Sequence, residues 1–340
     1  MKSRRFIITF AVAISIAMMG SANPASAAKM CDYQCLVGMM QQYVAAMVKH
    51  DPKGLPFAAN VKFTENTDKA VEILPIGKGL WETASAGPTS FQVYAADPKG
   101  QAVACLVIMK EKDKDIILGA RLKLEGGKII EVEHLVARGN VNSSQPGLQK
   151  PRPGLLEDVA KSDRMKREQL IKIGLSYYDA LTGEDGTLAP MAPECERHEN
   201  GATSAGGKPP DPKQFPAAKQ PAAKVDPEME KMMKAMAAMP RDCTGQISTG
   251  TFAYITEIRP RRLVVADEQK GLAVGFSMFQ HDGSLKTIPI KGVPGITSMP
   301  GFTMQFNFPS MHIFKIRKGK IYEIEALGAS LPYGAKPNWE

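Results

Sequence analysis

The chain lacks the short motifs that mark nucleotide-dependent and hydrolytic enzymes. Its 340 residues contain no G-x-x-x-x-G-K phosphate loop, no dinucleotide-binding fingerprint and no G-x-S-x-G nucleophile elbow. The stretch Cys195-Glu196-Arg197-His198-Glu199-Asn200 joins a thiol, carboxylates and an imidazole, but without the C-x-x-C or H-x-x-x-H spacing that closes a zinc shell. The sequence therefore predicts no nucleotide chemistry, no cofactor and no metal.

A concentrated basic patch is also missing. Lys and Arg number 43 against 35 Asp and Glu, which gives a formal net charge of +8, but the basic residues are scattered among the acids. The densest group, Arg259-Pro260-Arg261-Arg262, is short and fits a solvated strand edge better than a phosphate clamp. We predict no nucleic-acid partner.

Beyond residue 19, no apolar run approaches the roughly 18 residues that span a bilayer. The chain opens with basic residues, an apolar run from Phe6 to Met19 and the small residues Ala25-Ser26-Ala27, a pattern typical of a secretory signal with an A-x-A cleavage site. Ser3-Arg4-Arg5 loosely matches the twin-arginine pattern. We predict a signal peptide at 1–27, no membrane span after its removal, and a periplasmic or secreted protein.

Cysteine is scarce and odd in number, with five residues. Export makes these thiols disulfide candidates, and at least one stays unpaired within the chain. Cys195 and Cys243 flank a Pro/Ala/Lys-rich stretch, so we predict a bridge between them that closes a loop of about 50 residues and contributes on the order of 4 kcal/mol. Cys31 and Cys35 form a second candidate pair. Cys105, in an apolar run, is predicted to be a buried free thiol.

Two segments of the chain match without a gap. YVAAMVKHDPKGLPFAANVKFTEN (43–66) aligns with YYDALTGEDGTLAPMAPECERHEN (177–200), a constant offset of 134 residues (177 − 43 = 134). Identical pairs include Tyr43/Tyr177, Asp51/Asp185, Pro56/Pro190, Glu65/Glu199 and Asn66/Asn200. Further on, Gly127 to Glu133 matches Gly319 to Glu325. The pattern predicts a tandem duplication.

Each unit begins with an amphipathic helix, at Gln34 to His50 and at Lys166 to Leu181, and continues with strands of two-residue alternation. Helices followed by a run of strands are typical of the α+β class. The predicted organisation is a first domain at 28–139, a linker at 140–153, and a second domain at 154–340 that contains an insertion at 201–241. A methionine-rich helical turn is expected in that insertion at Asp226 to Met239.

This layout resembles the nuclear-transport-factor-2-like superfamily, which includes ketosteroid isomerases, scytalone dehydratase and SnoaL-like cyclases. The combination C-x-R-x-E-N-G, here Cys195 to Gly201, also resembles a tandem family of secreted fungal and bacterial proteins. The resemblance implies two cones, each with helices packed on a curved, mostly antiparallel sheet. It further implies that the cones contact each other as an intramolecular pseudo-dimer.

Alternation predicts which side chains share a face. Glu65 points the same way as Val61 and Phe63, so it is expected on the buried side; its counterpart Glu199 shares a face with Arg197. His134 lies on the apolar face of the last strand of the first unit. The corresponding residue of the second unit is Ala326, but His312 on the preceding strand points toward its core.

These residues support a hypothesis of general acid/base chemistry in a dry pocket. The resemblance places Glu65 and Glu199 at the general-base position of ketosteroid isomerases, with His134 and His312 as proton partners. Arg121 and Arg197 are candidates for stabilising an oxyanion. The residues predicted to wall the pocket are Trp81, Tyr94 and Tyr254.

A purely structural role is an alternative for each of these polar residues. The Glu-Asn pairs could cap turns, the histidines could be hydrogen-bonded core residues, Arg197 and Glu199 could form a buried ion pair, and Arg121 could line the contact between the domains. The leading hypothesis is an isomerase, dehydratase or lyase that acts on a small molecule. The alternative is a non-catalytic module that binds a ligand or a partner.

Overall fold

The computed structural model describes residues 30–139, 141–207 and 227–339. The predicted signal peptide at 1–27 and the middle of the predicted insertion, 208–226, lie outside these ranges. Among the helices within them, none is long and apolar enough to cross a membrane.

Helices and strands fall into two blocks, each with one long helix near its start. The helices are α1 (Tyr33–Val48), α2 (Leu80–Thr83), α3 (Pro146–Gln149), α4 (Pro153–Leu156), α5 (Arg167–Gly183), α6 (Pro227–Ala238) and α7 (Cys243–Ser248). The strands of the first block are β1 (Phe57–Asn66), β2 (Val71–Ile73), β3 (Ala84–Ala86), β4 (Gln92–Asp97), β5 (Ala102–Glu111), β6 (Lys114–Glu125) and β7 (Lys128–Ala137). Those of the second are β8 (Met191–Glu199), β9 (Ala202–Ala205), β10 (Glu257–Asp267), β11 (Leu272–His281), β12 (Thr287–Val293), β13 (Ile296–Pro300), β14 (Phe306–Arg317), β15 (Lys320–Gly328) and β16 (Leu331–Pro332). The predicted α+β class with two sheet-bearing domains is confirmed.

The two main sheets have the same strand order. The first runs β2-β1-β7-β6-β5, with β3 and β4 both paired to β5. The second runs β9-β8-β15-β14-β11-β10. In each sheet the strand after the long helix pairs in parallel with the last long strand, and the other pairs are antiparallel. The end of β1 that carries Glu65 therefore lies beside β7, and the end of β8 that carries Glu199 lies beside β15.

The long helices form where apolar residues recur every three or four positions. Asp32 caps α1, because its carboxylate accepts a hydrogen bond from the Cys35 amide at 2.9 Å. The buried stripe of α1 consists of Leu36, Met40, Tyr43, Val44 and Met47, and that of α5 includes Leu170, Gly174, Tyr177, Tyr178 and Leu181. Each stripe packs on the inner face of its own sheet, which is also the face toward which Glu65, His134 and His312 point.

The outer faces of the two sheets meet in a shared apolar layer. Its members from the first sheet include Phe91, Val93, Leu106 and Ile108, and those from the second include Val265, Val274, Phe276 and Ile313. Alternate residues of β5 separate cleanly: 102, 104, 106 and 108 face this layer, while 103, 105, 107 and 109 face α1. The order of layers is thus helix, sheet, sheet, helix.

Two buried aspartates bind across this layer in a reciprocal way. Asp267 Oδ2 accepts a hydrogen bond from the Ala96 amide at 3.0 Å, and Asp97 Oδ2 accepts one from the Ala266 amide at 3.2 Å. Asp97 also pairs with Arg167 at 2.7 Å. Each sheet therefore presents the same side chain and the same backbone position to the other.

The predicted disulfide and the second candidate pair are both bonded. Cys195 is linked to Cys243 and Cys31 to Cys35, while Cys105 is a buried free thiol, as predicted. Burial raises the pKa of the Cys105 thiol to about 12, which keeps it protonated and unreactive.

The two bridges should contribute unequally to stability. The Cys195–Cys243 separation is 48 residues and that of Cys31–Cys35 is 4. We expect replacing the first pair by alanines to lower the free energy of unfolding by on the order of 4 kcal/mol, and the second by about 2 kcal/mol, because the longer loop restricts the unfolded chain more. Denaturant titration without reductant measures both values, and an equal or reversed order would contradict the prediction.

Candidate functional site

In the first domain, Glu65 and His134 are direct neighbours on β1 and β7. His134 Nδ1 donates to Glu65 Oε2 at 2.9 Å, and its Nε2 is hydrogen-bonded to the Tyr43 hydroxyl at 2.8 Å. Trp81 Nε1 donates to the Tyr43 oxygen at 3.0 Å. The four side chains thus form a continuous hydrogen-bonded chain that ends on the Glu65 carboxylate.

This chain is closed to solvent. The side chains of Glu65 and His134 are 2% and 0% exposed. Glu65 also accepts from the Leu80 amide at 3.0 Å and from Arg138 Nη2 at 2.9 Å. Gly79, at φ 67°, permits the close approach of Leu80, since a Cβ there would lie 2.9 Å from Glu65 Oε1. The space beside Glu65 is therefore occupied by side chains and backbone of the first domain.

The electrostatics of Glu65 suit a structural anion. Burial by itself would raise the pKa of its carboxyl, but the hydrogen bond from His134, the neighbouring charges and the Leu80 amide outweigh it and hold the pKa below its ordinary value. A carboxylate that is stabilised in this way is a weak proton acceptor. Glu65 is thus poorly suited to abstract a proton.

The remaining predicted residues of the first domain lie apart from an open cavity. Tyr94 is buried and its hydroxyl donates to Gln92 at 3.0 Å. Arg121 lies on the opposite face of the sheet from His134, because it pairs with Glu133 across β6 and β7. There it forms ion pairs with Glu131 at 2.6 Å and Glu133 at 3.3 Å. This is the face that meets the second domain.

The inner face of the second domain holds an open cavity of about 380 Å³. Its wall is mainly apolar, with Glu199, His281 and His312 among the few polar side chains. The aromatic members are Tyr177, Phe252, Tyr254, Phe279, Phe302, Phe306 and Phe308. A volume and a lining of this kind are typical of small-molecule sites. Of the three predicted wall residues, Tyr254 lines this cavity.

The two domains differ in which of two neighbouring strands carries a histidine and which carries an alanine. In the first, His134 on β7 faces Ala120 on β6; in the second, Ala326 on β15 faces His312 on β14. Glu65 therefore lies beside an imidazole, whereas Glu199 lies beside the methyl group of Ala326. Since strands are about 4.8 Å apart, Glu199 and His312 are separated by two spacings, roughly 10 Å, with a gap over Ala326 between them.

Glu199 is held by Arg197 but stays open to water. Arg197 Nε lies 3.0 Å from Glu199 Oε1, and the two side chains are 2% and 50% exposed. The buried guanidinium also donates to Ser204 Oγ at 2.9 Å and to Gln246 Oε1. Gln246 lies on α7, the helix that the Cys195–Cys243 bridge attaches to β8. The disulfide therefore supports the residues that position Glu199.

The two histidines of the cavity are neutral near pH 7. Burial, and then the charge of Arg197, lower the pKa of His312 to about 3. Burial lowers the pKa of His281 to about 4. His281 stacks between Tyr254 and Phe306, with ring centroids 5.2 and 3.9 Å away. These imidazoles can offer hydrogen bonds to a ligand but carry no charge.

Comparisons with known proteins place a family model on the second domain. The model of a domain of unknown function, DUF8021, matches residues 163–328, a range that contains every residue named above as lining the cavity. No curated protein matches the chain.

Two solved structures are similar to the chain. A protein described as a polyketide cyclase, from Silicibacter sp. TM1040, is 11% identical over 48% of this chain and 92% of its own, with a TM-score of 0.28. A steroid delta-isomerase from Pseudomonas aeruginosa is 13% identical over 30% of this chain and 80% of its own, with a TM-score of 0.22.

We predict that Glu65→Gln lowers the free energy of unfolding by an amount that depends on pH. At pH 7 we expect it to fall by about 3 kcal/mol, because the change removes one partner of a buried pair. Since the folded pKa of Glu65 lies below its ordinary value of 4.5, the stabilisation is complete above that pH and is lost as the pH falls through the folded pKa. The difference in the free energy of unfolding between wild type and variant, the stability gap, should therefore become smaller below pH 4.5.

Chemical denaturation from pH 3 to 7 measures this gap. Glu199→Gln is the matched control, since that carboxylate is half exposed and its loss should cost less. A Glu65→Gln variant as stable as wild type at pH 7, or a gap that does not change with pH, would contradict the prediction.

Proposed function

We propose that the second domain binds a small, mainly apolar molecule in the cavity over Ala326, and that the first domain is its structural partner. The gap between Glu199 and His312 carries this proposal, because the equivalent position in the first domain is filled by His134. The fold that we infer for both domains is nuclear-transport-factor-2-like, as the sequence resemblance implies.

The wall of the cavity defines the class of ligand. Seven aromatic rings favour a flat ring system, which gains from stacked and edge-on contacts. Glu199 can accept a hydrogen bond from a ligand hydroxyl, and the neutral His312 can bind a carbonyl or hydroxyl at the far side. Arg197 neutralises Glu199, so the site does not require a cationic ligand.

Proton transfer is a second candidate function for the same site, favoured by the half-exposed carboxylate in an apolar wall. Glu199 would take a proton from a carbon next to a carbonyl and return it to another position, which makes the protein an isomerase. If that proton is instead given to a hydroxyl on the next carbon, the C–O bond breaks, water leaves and a C=C bond forms, which makes the protein a dehydratase, a kind of lyase. His312 would donate a hydrogen bond to the developing oxyanion. Arg197, which is buried beneath Glu199, would position the base.

We further propose that the two domains form an intramolecular pseudo-dimer. The reciprocal Asp97–Ala266 and Asp267–Ala96 hydrogen bonds support it, since a two-fold contact uses the same patch on both partners. Arg262 of the second domain also pairs with Glu133 of the first. The inference that the protein is exported rests on the sequence of residues 1–27 and is supported by the two disulfides.

Ala326→His tests the binding proposal, because it places an imidazole beside Glu199 as His134 lies beside Glu65. A panel of ring ketones and phenols, screened by thermal shift and measured by calorimetry, supplies the probe ligands. We expect the variant to bind at least about tenfold more weakly, or about 1.4 kcal/mol, while it stays folded. Ala326→Ser, which keeps the gap, should bind as wild type. Equal binding by Ala326→His would contradict the site.

Glu199→Gln tests the catalytic candidate on any panel member that is turned over. We expect the rate to fall by about 10² to 10⁴, since a general base is removed, while ligand affinity changes little. Glu65→Gln, assayed at a temperature where it is folded, should retain turnover. Unchanged turnover in Glu199→Gln would exclude it as the base, and the absence of turnover across the panel together with tight binding would favour the non-catalytic alternative.

A further inference from the structure

Helix α6 is unusually rich in methionine. Residues 227–239 contain five of the 19 methionines of the chain and no Leu, Ile, Val or Phe. Every large apolar side chain of this segment is therefore a methionine. Apolar packing by itself does not require a thioether at each of these positions.

One side of α6 accounts for its packing. Ala235 and Met239 are buried against the β12–β13 hairpin, in a cluster with Ile288, Ile290 and Met299. The opposite side carries Met229, Met233 and Met236, with exposed fractions of 50%, 61% and 57%. Met232 lies beside them and is half-buried. Positions i, i+3, i+4 and i+7 are neighbours on a helix, so these four thioethers form one cluster.

We propose that Met229, Met232, Met233 and Met236 form a binding site for a soft monovalent cation, Cu(I) or Ag(I). Thioether sulfur is a neutral, polarisable ligand that selects Cu(I) over hard divalent ions. Within the described residues there is no group of His, Cys, Asp or Glu that could hold a metal, so the site does not share its ion with a harder one. Its long, flexible side chains can converge on an ion placed over the middle of the helix.

The neutral ligands give the site a signature. Cysteine, histidine and carboxylate sites lose affinity as acid protonates their ligands, whereas thioethers have no proton to lose. Binding by the cluster should therefore be nearly constant between pH 5 and 8.

Ag(I), which is redox-inert, is the probe for the test. The full mature chain, labelled with ¹³C at the methionine methyl groups, is titrated with silver nitrate in chloride-free buffer and followed by NMR. We expect the methyl signals of the four cluster residues to shift together at one equivalent. Met304, which is 73% exposed and outside the helix, is the internal reference and should not shift. Competition with a chelator gives the affinity at pH 5 and pH 8.

Leucine variants separate metal binding from apolar docking, because Met→Leu conserves volume and helix propensity. Each single change, Met229→Leu, Met233→Leu or Met236→Leu, should weaken binding about 10-fold, in the range that disturbing a metal shell costs. The triple variant keeps one thioether of the four and should show no binding at one equivalent of silver. Met304→Leu should bind as wild type. Silver binding that survives in the triple variant, or a wild-type chain whose cluster signals do not shift, would overturn the proposal; the second result would assign this face to an apolar partner.

Discussion

Two buried carboxylates, Asp97 and Asp267, fix how the sheets lie against each other. Each accepts a backbone hydrogen bond from the opposite domain, and an unpaired acceptor in that apolar layer would be costly. The contact uses the outer face of both sheets. The inner faces, beneath α1 and α5, take no part in this contact, whereas Arg121 lies on the outer face and contributes to the contact rather than to the cavity of the second domain.

On the inner faces, the position of one imidazole decides which domain is open. A histidine on the strand beside β1 fills the space next to Glu65 and completes a chain of hydrogen bonds to Trp81. Moving the histidine one strand away, to His312, leaves Ala326 beside Glu199 and a gap that aromatic side chains surround. The same pair of residue types thus produces a closed core in one domain and a cavity in the other.

Sequence alternation predicted the face of each strand but not which strands adjoin. It placed Glu65, His134 and His312 on inner faces correctly, since the period of a strand fixes that choice. The flanking positions of Cys195 and Cys243 sufficed for the disulfide. The closure by Trp81 and Arg138 and the cavity wall from Phe252 to Phe308 could not be predicted, because they depend on short helices and loops whose contacts are non-local. The alignment of the two units did indicate one difference between them. His134 of the first unit aligns with Ala326 of the second, so the two interiors were expected to differ at that position.

The two domains also place their charges in opposite ways. In the ion pair on the inner face of the first domain, the buried member is the anion Glu65, and its partner Arg138 is a third exposed. In the corresponding pair of the second domain, the buried member is the cation Arg197, and Glu199 is half exposed. A carboxylate that is sealed among several fixed donors is out of reach of a substrate. Burying the arginine instead, on a strand held by the Cys195–Cys243 bridge, leaves the Glu199 carboxylate fixed in position and open to the cavity, where a ligand can reach it.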